Sequence, residues 1–115
     1  MEFEINGDYW EIILKDKQEM IDLYKTEYDD EDVYFVGGLT CKPEQWVAIN
    51  KNMNIEQQIK ALKHELTHCY IWEYGLYNVP SFTEEMACDL VAGINDFVIK
   101  VIDEFKKNYK NMLED

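Results

Sequence analysis

Lys63-His64-Glu65-Leu66-Thr67-His68-Cys69 gathers the only two histidines of a 115-residue chain around a glutamate. On a helix, His64 and His68 at i and i+4 point from one face about one turn apart, so both imidazoles can reach one Zn²⁺. Glu65, one position along, can reach a water on that metal and take its proton. The chemistry this spacing offers is metal-assisted hydrolysis, with His64 and His68 as metal ligands and Glu65 as the catalytic base.

A catalytic zinc usually takes three protein ligands and leaves one position for water. With no third histidine, a carboxylate or thiolate must complete the set. Glu84 and Glu85, 16 and 17 residues after His68, are the candidates. Taking the apolar stripe of their helix as its inner side, Glu84 lies roughly 50–70° from the stripe centre and Glu85 roughly 150–170° away. Glu84 is therefore preferred and Glu85 is the alternative, since an acid in a first helical turn needs no role beyond the helix dipole. Cys69 and Cys88 read as small hydrophobes before they read as ligands. Tyr70, Tyr74 and Tyr77 follow the motif; one could donate to an oxyanion, though core packing accounts for each.

The elements that position these residues follow from periodicity. Phe3–Ile5 and Tyr9–Leu14 alternate on either side of Asn6-Gly7-Asp8 and predict an opening hairpin. Asp16 with Glu19 three residues on predicts the start of a first helix, which should fail at the acidic run 29–32. Val33–Val36, ending at Gly37-Gly38, and Trp46–Ile49 predict two antiparallel strands. Asn54 with Gln57 caps a motif helix over 54–74 whose buried stripe is Ile55, Ile59, Leu62, Leu66 and Cys69, with Gly75 at its end. Ser81 or Thr83 caps a last helix over 82–106, with Ala87, Leu90, Val91, Ile94, Val98, Val101, Ile102 and Phe105 inward. Residues 108–115 show no apolar stripe and predict a fraying tail, which could lie in the cleft and keep the protein latent.

Composition narrows the class. An apolar content of 47 % with two prolines fits one folded α+β domain over 1–115, a small, mostly antiparallel sheet packed on about three helices. No apolar run approaches a membrane span of ~18 residues, and the opening Met1-Glu2-Phe3-Glu4 is unlike a signal peptide. Three widely spaced cysteines fit free thiols in a reducing cytoplasm. A net charge of −13 with no arginine argues against gripping nucleic acid.

His64-Glu65-x-x-His68 followed by a downstream glutamate helix resembles the gluzincin clan of zinc peptidases. The brevity, the strand at 46–49 leading into the motif helix and Glu84-x-x-Ala87 look most like its small intracellular members, the ImmA/IrrE-type peptidases and minimal gluzincins. The resemblance covers roughly residues 33–100. It implies a minimal zincin-like domain and a cytoplasmic zinc endopeptidase acting on a peptide or protein substrate. In that clan an aspartate four residues after the glutamate often orients a zinc histidine. Here Cys88 follows Glu84 and Asp89 follows Glu85, so family spacing favours Glu85 while the helix face favours Glu84. Two other readings stand beside it. A catalytically silent, zinc-stabilised protein-interaction module would not need Glu65. A DNA-associated peptidase of the SprT type would call for a basic patch, against which the charge counts.

Overall fold

A computed structural model describes residues 1–76 and 83–114. Four strands and three helices follow in the order β1 (Glu2–Ile5), β2 (Asp8–Lys15), α1 (Lys17–Tyr28), β3 (Gly38–Cys41), β4 (Trp46–Asn50), α2 (Ile55–Glu73) and α3 (Glu84–Leu113). The class is α+β. The strands form one sheet in the order β1-β2-β4-β3.

The hairpin turns at Asn6 and Gly7, whose φ values of 51° and 83° are those a two-residue Asn-Gly turn needs. Two of the three pairings are antiparallel, but the central β2–β4 pair is parallel, with Ile12 opposite Val47 and Leu14 opposite Ile49. The sheet is thus mixed. After β2 the chain passes through α1 before returning, which brings β4 alongside β2 in the same direction.

The strand expected over 33–36 forms instead at 38–41, where it pairs antiparallel with β4 as Gly38↔Ile49 to Cys41↔Trp46. Tyr34 and Phe35 are 84 % and 52 % exposed, so their β propensity finds no face to bury. Leu39 and Cys41 are buried, and their alternation was the better strand signal.

Capping fixes the helix starts. Asp16 Oδ1 accepts from Glu19 N at 2.8 Å, and Glu19 Oε1 accepts in return from Asp16 N at 3.1 Å. Asn54 and Gln57 form the same reciprocal pair at 2.9 and 3.2 Å. Thr83 Oγ1 accepts from Met86 N at 3.2 Å and begins α3. The alternative cap Ser81, residue 82 of the expected helix start, and the loop through Pro80 lie outside the described residues. Helix α1 stops at Asp29, in the left-handed region with φ 51°, where the acidic run begins. Gly75, with φ 66°, takes the same role after α2.

Alternation along β4 divides the interior. Val47 and Ile49 face α2 and α3 and join Trp10, Ile12, Leu62, Leu66, Ile102 and Phe105 in the main core. Ala48 faces the other way, with Leu39 and with Met20 and Ile21 of α1. Helix α2 is thereby covered by the sheet on one side and α3 on another. Its stripe is buried at Leu62, Leu66 and Cys69, but Ile55 is 43 % exposed and Gln58 is buried instead.

Helix α3 runs past its expected end to Leu113. Tyr109 and Met112 pack on the core, and Tyr109 Oη accepts from Gln58 Nε2 at 2.8 Å. Met112 sits with Met1, Ile12 and Leu14, and no described residue of the tail lines the cleft at His64, so the latency expected of a free tail is not supported. Val91, expected inward, is 68 % exposed. No described helix is long and apolar enough to cross a membrane.

Candidate metal centre

Helix α2 sets His64 and His68 on its outer face while Leu62, Leu66 and Cys69 anchor the inner one. The imidazole Nε2 atoms converge to 3.2 Å, with the rings nearly perpendicular at 76°. Two nitrogens ~2.05 Å from one tetrahedral ion stand roughly 3.3 Å apart, so this separation fits a shared zinc. The His64 side chain is 70 % exposed and open to a ligand.

Glu65 lies beside them, on the inner side. It is 7 % exposed and turned toward the sheet, where Thr40 Oγ1 donates to its Oε1 at 3.0 Å. Its other oxygen, Oε2, lies 4.0 Å from His64 Nε2. Residues 38 and 40 share the face of β3 that looks at α2, because side chains alternate along a strand. Gly38 makes the fit possible: a Cβ there would meet Glu65 Cγ at 2.9 Å and Oε2 at 3.0 Å. Neither residue stands out in the sequence, because the β-rich composition of Val33–Val36 puts the strand five positions early; the Leu39/Cys41 alternation is the signal that points to them.

These groups open on a cleft of about 270 Å³. Its other walls come from Tyr24 and Tyr28 in the last turns of α1, Leu39, and Lys42 just past β3. Among the described residues, the tyrosines that line the cleft are thus those of α1. Tyr70 instead packs under α3, where a Cβ at Gly93 would meet its hydroxyl at 2.8 Å, and Tyr74 packs against Tyr70 with the rings tilted and their centres 4.6 Å apart. Tyr77 lies outside the described residues.

The sequence-predicted residues divide into two sets. His64, Glu65 and His68 come together. Glu84 and Glu85 are both exposed in the first turn of α3, and among the described residues no group of three His, Cys, Asp or Glu side chains is placed to hold a metal. Cys69 is fully buried and burial pushes its thiol up to about 12, the behaviour of a small hydrophobe rather than a ligand. Cys88 is exposed.

No family model, curated protein or solved structure matches this chain. What the site can do is therefore read from its own residues.

Proposed function

We propose that this chain is a zinc-dependent endopeptidase built on a minimal zincin-like domain. The observation that supports it is the convergence of His64 Nε2 and His68 Nε2 to 3.2 Å beside the Glu65 carboxylate. His64 and His68 would hold the ion, with Glu84 as third ligand and Glu85 as the alternative. A zinc ion there would supply a Lewis acid for the scissile carbonyl and a water acidic near neutral pH. Glu65 accepts the proton of the attacking water and returns it to the leaving amine, acting first as general base and then as general acid. Thr40 holds one oxygen of that carboxylate, so the other is the one presented to the proton. Exposure of His64 and burial of Glu65 divide the labour: the ligands face solvent and substrate, and the base is kept in one orientation.

A second reading is a zinc-stabilised interaction module that cuts nothing; it would require the chain to close the fourth position of the metal as well. Zinc per chain separates the readings when measured in wild type, Glu65→Gln, Glu84→Gln and Glu85→Gln beside hydrolysis of a protein substrate. The peptidase reading expects one zinc in wild type, lost in one of the last two variants. It expects Glu65→Gln to keep zinc and lose about 10²–10⁴-fold in rate. A Glu65→Gln variant that cleaves as fast as wild type would sink it.

A further inference from the structure

The cleft carries a feature that neither metal ligation nor the proton transfers use. Among the described residues that line it, Lys42 is the one lysine. The Lys42 ammonium stands 5.4 Å from the centre of the Trp72 ring. Trp72 follows His68 by four residues on α2, so His64, His68 and Trp72 form one stripe with successive members a turn apart. Four residues of helix advance about 6 Å, so Trp72, whose ring the ammonium approaches, is rooted one turn beyond His68, and Lys42 itself lines the cleft with both histidines. Among the described residues the ion pairs are Lys15–Glu19 and His64–Glu65, and Lys42 belongs to neither. The aromatic face steadies its charge without neutralising it.

We propose that Lys42 selects substrates carrying a carboxylate on the residue next to the bond cleaved at His64, Glu65 and His68; the inference rests on the peptidase reading. One residue of extended chain, about 3.5 Å, plus an ion-pair distance of about 3 Å matches one helical turn, the spacing of His68 and Trp72 along α2. The carboxylate has two sources: an Asp or Glu side chain, which fits internal cleavage, and a free C-terminal carboxylate, which would make the enzyme a carboxypeptidase rather than an endopeptidase. The chain's charge of −13 repels anions at long range. That field is screened over about 8 Å at physiological salt, whereas Lys42 acts at contact.

The test is a ¹⁵N NMR titration of full-length wild type and Glu65→Gln with four short blocked peptides. Three are amidated and differ at one position, Glu, Gln or Lys; the fourth carries Gln and a free C-terminal carboxylate. At least one of the two acidic peptides should bind about five-fold more tightly than the neutral one, the scale of an exposed ion pair, and which one does so names the source. Lys42→Met should abolish the difference, and Lys42→Glu should reverse it toward the Lys peptide. Equal binding of all four, tightest binding of the Lys peptide to wild type, or discrimination that survives in Lys42→Met would overturn the proposal. Binding is read without hydrolysis. Failure of the peptidase reading would therefore appear separately, as discrimination intact in a protein that cuts nothing.

Discussion

Thr40 Oγ1 donates to Glu65 Oε1 at 3.0 Å, tying the carboxylate of the motif helix to an edge strand that lies 25 residues earlier in the chain. The same hydroxyl lies 3.4 Å from the Glu65 backbone carbonyl. A buried carboxylate costs free energy unless something donates to it, and this hydroxyl both offsets that cost and selects which oxygen faces His64.

Under the peptidase reading, Thr40→Val should lower kcat about 10–100-fold with KM little changed, as expected for a hydrogen bond to a charged group worth about 1.5–3 kcal/mol. Zinc content should stay at the wild-type value and Thr40→Ser should recover most of the rate. Steady-state kinetics beside metal analysis of the three proteins checks this; a Thr40→Val enzyme with unchanged kcat removes the positioning role.

Gly38→Ala should be costly although the glycine sits in an ordinary strand. The added methyl would lie 2.9 Å from Glu65 Cγ and 3.0 Å from its Oε2, and both atoms belong to a side chain buried against the sheet. Overpacking of this kind costs about 1–3 kcal/mol. Denaturant unfolding should show that loss, and a crystal structure should show the Glu65 carboxylate moved from Thr40. Wild-type stability together with an unmoved carboxylate would refute the close fit.

Stability should carry a pH dependence from Glu73. Burial, the largest cause, holds its carboxyl above the ordinary value of 4.5; the indole N–H of Trp10, donating to Oε1 at 2.7 Å, works the other way. A folded-state value above the unfolded one means that the folded protein binds the proton more tightly. The contribution is full below about 4.5 and is lost as pH rises through the raised value. Glu73→Gln cannot ionise, so its stability relative to wild type should grow as pH rises from 4 to 7. Urea unfolding of both proteins across that range measures it, and a gap that is constant or shrinks contradicts the assignment.

Much of this was legible in the chain. The reciprocal caps at Asp16 and Asn54, the Asn6-Gly7 turn, the left-handed end at Gly75 and the shared face of His64 and His68 are local. Each depends on residues within a few positions of one another, and nothing distant overrides them. The placement of β3 was not legible, because Val33–Val36 has the composition of a strand and only the partner strand β4 decides that Gly38–Cys41 pairs instead. Nor was the direction of β4, since a parallel pairing requires knowing where α1 returns the chain. The last turns of α3 looked polar until Gln58, 51 residues away, supplied the donor for Tyr109.

The site divides along the same line. The sequence by itself determined the relation of the two imidazoles and the Glu65 carboxylate, because one helical turn fixes it wherever the helix is packed. Only the tertiary structure decided what surrounds them: Thr40 and Gly38 around Glu65, Tyr24 and Tyr28 across the cleft, and Lys42 over Trp72. Those contacts join α2 to β3, to the segment beyond it and to α1, and their register comes from burying two faces of one sheet at once, a constraint no short window of residues contains.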